Sequence, residues 1–399
     1  MTTSGSSTAA EQGAALAGLR VLEIGHYIAA PHCTMMLADQ GADVIKLEPP
    51  EGEPARAAPP FSPHGDSYYY ACHNRGKRSV ALDLRSPEAR EPLDALLRWA
   101  DVVVTNYSAG VPEKLGFGYE RLAQVNSRAV MVHITGYGAV GSRKDYVAFD
   151  GAVQAMSGFA DLTGAPEGPP LMSQVLVADH AAGTHAAYAV MCAVWEQRRT
   201  GRGRKVELSM LATMTSLLSH HIPSKGALGL APTRQGARST TRFVDMFQTQ
   251  DAPVYLAPIT PVMWRAFCDL LGRPDWGDNV NPLADPVRKA QVMETAGRWF
   301  SQRTSGQALA DLQGRRIACG VVRSVSQLYE EEVALGSGVV SHVELARGGP
   351  LAPVPGPAFR MGPEPERQPR VAAVGEHTAS VFAELGLVVV ETAEDLRHA

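Results

Sequence analysis

The chain has 399 residues, 20% of them charged, and a formal net charge of −4. That length exceeds the usual single-core size and predicts two domains, or one with a large insertion; the charge balance offers no field for holding a polyanion, so nucleic acid is excluded as the expected partner. Cys33, Cys72, Cys192, Cys268 and Cys319 are odd in number, widely spaced and free of any C-x-x-C pair, which argues against disulfides and structural zinc, fits a reducing cytoplasm and places most of the five in the core.

In chain order, residues 1–15 lack a basic n-region and a bulky apolar h-region, and no later stretch holds eighteen uninterrupted apolar residues. A soluble chain with a disordered start and no membrane partner is expected. From Gly18 the segments GLRVLEIG, PHCTMMLADQGA and DVIKLEPP read strand, helix, strand. KRSVALDL, a helix from Ser86 to Ala100, DVVVTNY, helical turns from Pro112 to Val125 and AVMVHITGYG continue the alternation. Ser86 is placed to cap that helix, Pro87 suits its first position and Glu88 favours the positive dipole end. The pattern predicts a doubly wound parallel α/β sheet.

GAPEGPP, between Gly164 and Pro170, has the composition of a loop, and a small-residue helix follows from about Val177 to Arg199 with Asp179 in its first turn. After strand KVELSM and helix LATMTSLLSHH, the stretch PTRQGARSTTR reads as a linker. A second, smaller α/β unit follows, with VYLAP, helices near Met263 to Leu271 and Lys289 to Gln302, and RIACGVVRS. Gly348 to Pro365 reads as an extended return before a last helix near Glu376 to Leu385.

The turn VLEIGHYIAAP lacks the glycines of a dinucleotide or methyl-donor loop, and no P-loop or G-x-S-x-G elbow occurs. His180 and His185 are five apart, not at the spacing that puts two imidazoles on one helix face, so no metal site is expected. Nothing near a cysteine argues for a lowered thiol pKa. Asp179 interrupts an otherwise small and apolar helix. Its residue type and place fit either a first-turn carboxylate facing the dipole or a functional group.

Several segments in order, GLRVLEIGHYIAAPHCTMMLADQGADVIKLEPPEG, NRGKRSVALDL, ADVVVTNYSAGVPEKLGFGYERLAQVN and FDGAVQAMSGFADLTG, resemble the class III CoA-transferases, a family that also contains the α-methylacyl-CoA racemases. VEL and GEHTASVFAELGL resemble later blocks, and the likeness thins between about Lys225 and Thr304. The resemblance implies a Rossmann-like large domain built from both chain ends (16–225 and 331–399), a smaller α/β domain (226–330) and an interlocked homodimer. It implies Asp179 as the catalytic nucleophile, and CoA contacts at Ile28, Ala29, Leu82, Asp83, Leu84, Arg85, Asn106, Tyr107, Ser108 and Lys114. Several of these follow predicted strands, where open α/β sheets bind ligands, and Arg85 and Lys114 suit phosphates.

The activity so implied is CoA transfer from an acyl-CoA to a carboxylic acid, with no metal and no permanently bound cofactor. Backbone amides opening the Asp179 helix are the expected oxyanion donors. Phe149 stands where the racemases carry a histidine, which weakens a racemase reading with Asp179 as base. PTRQGARSTTRF has a single glycine where the formyl-CoA transferases have a run, so oxalate is not the expected substrate. A non-catalytic acyl-CoA-binding protein is the remaining alternative.

Overall fold

The computed structural model describes residues 14–239, 242–278, 285–359, 361 and 369–387. Of the expected frayed start, only Ala14 and Ala15 fall within them. The chain divides into two compact units, one of Met1–Phe159, Ser173–Ser219 and Gly336–Ala399, the other of Ala160–Met172 and His220–Leu335.

In the first unit, β1 (Arg20–Ile24), β2 (Asp43–Glu48), β3 (Arg78–Ala81), β4 (Val102–Thr105), β5 (Val130–Thr135) and β6 (Lys205–Ser209) form a sheet in the order β3-β2-β1-β4-β5-β6. All its pairings are parallel, with Val21 beside Val44 on one side and Val102 on the other. The order reverses between β1 and β4, which opens a crevice at their carboxyl ends. β4 and β5 are buried along their whole length, as a sheet covered on both faces requires.

The helices of this unit are α1 (Ala29–Ala38), α2 (Tyr68–Asn74), α3 (Arg90–Trp99), α4 (Val111–Lys114), α5 (Tyr119–Val125) and α6 (Asp150–Met156), with α7 (Phe159–Leu162) at the boundary, then α8 (Val177–Thr200) and α9 (Met210–Leu217). Alternate strand residues feed two cores. Val21, Val44 and Val102 pack with Ala30 and Cys33 of α1 and Ala182 and Ala186 of α8; Leu22, Ile45 and Val103 pack with Leu96 of α3 and Leu122 of α5. Small residues let α1 and α8 approach closely, since a methyl on Gly183 would stand 2.7 Å from the Ala29 carbonyl oxygen. Ser86 caps a short 3-10 turn, Pro87–Ala89, and α3 begins only at Arg90.

A buried ion cluster ties this layer together. Glu23 of β1 accepts from Lys46 of β2 at 2.6 Å, from Lys77 at 2.7 Å and from Thr34 of α1 at 2.6 Å, while Lys46 also lies 3.0 Å from Glu53. Both lysines and both glutamates are almost wholly out of water. Two positive and two negative groups balance, and their remaining hydrogens meet backbone carbonyls such as Pro31 and His73, the condition for burying charge at all.

The second unit holds α10 (His221–Leu228), an antiparallel sheet of β7 (Asp245–Gln248), β8 (Pro253–Leu256) and β9 (Cys319–Val321), and helices α11 (Pro261–Leu270), α12 (Pro286–Ser301), α13 (Ser305–Gly314) and α14 (Val325–Leu335). Trp264, Phe267, Trp276 and Phe300 fill its core. Its extent departs from 226–330, because 160–172 joins it through long-range contacts that composition does not reveal. Gly236 donates to the Gly164 carbonyl at 3.1 Å, and Arg234 reaches Asp161 and the Gly168 carbonyl at 3.0 Å each.

Back in the first unit, the expected extended return contains a strand, β11 (Ala352–Pro355), paired antiparallel with β10 (Val340–Val343). Pro353 and Pro355 lack amide donors, which suits a two-stranded ribbon better than a wider sheet. The last helix, α15 (Thr378–Glu384), packs Val381 into the core containing α3 and α5. Cys33 and Cys268 are buried, Cys72 and Cys319 are half-buried, and Cys192 is exposed, so fewer cysteines serve the core than expected. Among the described residues no helix is long and apolar enough to cross a membrane.

Candidate active site

Where the strand order reverses, a cleft is lined by residues that follow β1, β4 and β5, together with Phe149 and Asp179. Its walls are set by a tight turn after β1. Gly25 has no room for a side chain, since a methyl there would lie 2.8 Å from Asn106 Oδ1 and from Ala30. Tyr27 takes a positive φ of 61°, costly for a residue with a side chain, and Glu53 Oε2 holds its amide at 2.9 Å. Asn106, one residue beyond β4, locks the turn from the other side: its Oδ1 accepts from the His26 amide at 3.0 Å and its Nδ2 donates to the His26 carbonyl at 2.8 Å. The His26 ring packs between Tyr27 and Tyr107, with centroids 5.1 and 5.0 Å away.

Asp179 enters the cleft from the first turn of α8. A bystander cap would bond helix amides, and here a different carboxylate does so. Asp150, on α6, accepts from the amides of Ala178 at 2.7 Å and Asp179 at 3.1 Å, which supplies the cap that Leu176 lacks. Gln154 donates from its side-chain amide to the other oxygen of Asp150, and its side-chain oxygen Oε1 accepts from the Ser173 amide at 2.9 Å. Among the described residues no hydrogen bond reaches the Asp179 carboxylate. Burial, and then the charge of Asp150, push its carboxyl up to about 7. It is a half-buried carboxylate with its oxygens uncommitted and its charge opposed by burial and by Asp150, the kind of perturbed group that functional sites hold.

The same geometry corrects one expectation. The amides of Val177, Ala178, Asp179 and His180 are bonded to Val175, Asp150, Asp150 and Leu176 respectively, so the opening of α8 has no free donor for an oxyanion. The dipole end is already satisfied by Asp150.

The other sequence-predicted residues divide into two groups. Asn106, Tyr107 and Ser108 line the cleft beside Asp179. Ile28 and Ala29 follow the β1 turn but are buried, so only their backbone can meet a ligand. Leu82, Asp83, Leu84 and Arg85 follow the edge strand β3, where exposed Arg85 pairs with Asp83 at 2.9 Å, and Lys114 ends the short α4 on the surface. None of these last five lines the cleft. Sequence reasoning missed His26, Lys144, Tyr146, Asp150 and Gln154. Only Asp150 carried a signal, as an acidic residue opening a helix beside Phe149. Phe149 itself is 60% exposed and meets Tyr27 edge-on at 5.8 Å.

Comparison with known proteins gives the same region a chemical context. The profile of CoA-transferase family III matches residues 16–378. A succinyl-CoA:mesaconate CoA-transferase of Haloarcula hispanica is 31% identical over 383 residues, covering 94% of this chain and 97% of that one. A formyl-CoA:oxalate CoA-transferase of Rhodopseudomonas palustris is 30% identical over 399 residues, covering 93% of each. The solved structure of a CaiB/BaiF family protein from Brucella suis superposes with a TM-score of 0.79 at 27% identity, over 94% of this chain and 100% of that one.

Proposed function

Since the chain belongs to CoA-transferase family III and is an enzyme that transfers coenzyme A, we propose that it does so through a covalent intermediate on Asp179. The supporting observation is the uncommitted, half-buried Asp179 carboxylate in the cleft at the strand switch point, its carboxyl pushed up to about 7 by burial and by Asp150. The carboxylate attacks the thioester carbonyl of an acyl-CoA, forming a mixed anhydride and releasing the CoA thiolate. The thiolate attacks the aspartyl carbonyl, which gives an aspartyl-CoA thioester and frees the donor acid. An acceptor carboxylate then attacks that thioester, and the thiolate returns to the acceptor's acyl carbon, regenerating Asp179. Every bond broken is balanced by one formed, so the sequence consumes no redox equivalent and no ATP.

Asn106, Tyr107 and Ser108 are assigned to the thioester end of CoA, the backbone at Ile28 and Ala29 to its approach past the β1 turn, and Leu82 to Arg85 and Lys114 to its nucleotide end, with Arg85 and Lys114 meeting phosphates. Lys144, on the cleft wall, is suited to the second carboxylate of a dicarboxylic acceptor, the class to which mesaconate and oxalate, named for the two relatives, belong. The enzyme is further proposed to act as an interlocked homodimer. Tyr188 and Trp195, 72% and 66% exposed on α8, support an apolar face covered by a second copy. Sedimentation at micromolar concentration should show a dimer, and a monomer would refute the arrangement.

The deciding experiment incubates the enzyme with acyl-CoA donor alone and traps with hydroxylamine. A hydroxamate on the peptide carrying Asp179 is expected, absent in Asp179→Ala. Transfer that survives in Asp179→Ala, or an adduct mapped to a cysteine, would overturn the mechanism.

A further inference from the structure

His32 on α1, His73 on α2 and His180 on α8 come together from three separate elements, one ring nitrogen of each lying within 4.8 Å of the others. None of the three lines the cleft, and the transfer chemistry uses none of them. Counting their hydrogens shows that the cluster lacks a positive centre. His73 Nδ1 lies 3.0 Å from the Tyr69 carbonyl oxygen and His180 Nδ1 2.8 Å from the Leu176 carbonyl oxygen. A carbonyl only accepts, so each Nδ1 carries a hydrogen. A neutral imidazole has just one, which leaves both Nε2 atoms as lone pairs. These two lone pairs face each other at 3.3 Å.

A shared proton would relieve the contact only by making a buried imidazolium.

We infer that His32, His73 and His180 form a binding site for one divalent transition-metal ion of the zinc type. Two nitrogens each about 2.05 Å from a tetrahedral zinc stand about 3.3 Å apart, the separation found between His73 and His180. The Nδ1–H bonds to Tyr69 and Leu176 carbonyls are the outer contacts that orient metal-binding histidines. His32 brings a ring nitrogen within 4.8 Å of the other two, so that ring closes in by a small rotation to share the ion, and its Nδ1 is buried without a hydrogen-bond partner among the described residues. Gly183 makes room for it, since a methyl there would lie 3.0 Å from the ring. His32 and His180 are half-buried, so solvent can fill the fourth position. Three nitrogen donors and one water suit zinc or cobalt better than magnesium or calcium. The ion pins α1 and α2 to the first turn of α8, the turn that carries Asp179.

The test uses the full-length wild-type protein, stripped with chelator and titrated with cobalt(II). Intense visible bands of tetrahedral cobalt are expected, saturating at one ion per chain and bleached by zinc(II). His32→Gln and His180→Gln should each weaken binding at least about tenfold, whereas His185→Gln, on the same helix but outside the cluster, should bind as wild type. Zinc should also raise the melting temperature of the wild type. Because the cobalt spectrum is read on the unaltered chain, the result does not depend on any variant folding. A wild type that binds neither ion at micromolar concentration, a pale octahedral spectrum, or undiminished binding in His32→Gln would each overturn the inference. Failure of Asp179 trapping would leave the metal result untouched, so the two readings fall separately.

Discussion

Replacing Asp179 by Asn should abolish transfer and yet stabilise the protein at alkaline pH. The carboxyl titrates near 7 instead of near 3.8, and at about 1.4 kcal/mol for each tenfold change in proton affinity the ionised group costs the folded chain about 4 kcal/mol more than the unfolded one. The folded pKa is the higher, so the stability contributed by the protonated form is full below pH 3.8 and gone above pH 7. Asn is neutral throughout and keeps the shape. In urea unfolding at matched protein concentration, Asp179→Asn should exceed the wild type most at pH 9, and the gap should shrink by about 3 kcal/mol on going to pH 5. A constant gap across that window, or a variant less stable than wild type at pH 9, would refute the claim that Asp179 is held ionised against its surroundings.

The neighbouring carboxylate gives a second expectation: Asp150→Asn removes a charge that raises the Asp179 pKa, so the acid limb of kcat/KM should move below pH 7, while the weakened cap costs about 1 kcal/mol in thermal melts. Incubated with a 2-methylacyl-CoA in deuterium oxide, the enzyme should leave the α-carbon unlabelled, because Phe149 has no proton to exchange; rapid uptake with inversion, read by mass spectrometry, would favour a racemase. Gly183→Ala should lower stability by about 1–3 kcal/mol in denaturant titration, since its methyl would meet the Ala29 carbonyl at 2.7 Å.

The parallel sheet was readable because its strands are local apolar runs. VLEI, VVVT and VMVHIT announce themselves as strands, and stretches of helical pattern separate them. Asp179 stood out as an acid in a small-residue helix, but its role as nucleophile or cap was not decidable there. The residue that takes the cap in its place, Asp150, lies 29 positions away in sequence and reaches α8 only after α6 folds against it. The histidine cluster spans 148 positions, from 32 to 180, and no spacing rule connects rings on three elements. The transfer of 160–172 to the second unit rests on Arg234 and Gly236, contacts between segments about seventy residues apart. What was hidden was therefore what tertiary contact alone brings together.

The buried set of Glu23, Lys46, Lys77 and Glu53 bears on how this sequence can change over generations. Losing any one member strands a partner charge in the interior, a penalty of about 3–5 kcal/mol, while exchanging all of them for well-packed apolar residues would be nearly neutral. A path of single substitutions between those two states passes through intermediates weakened by about that amount. Glu53 also holds the Tyr27 amide at the cleft wall, so an apolar replacement would release the turn that shapes the site. The cluster thus works as an evolutionary ratchet, in which descendants free to alter their substrate preference remain bound to the same four charges beneath it.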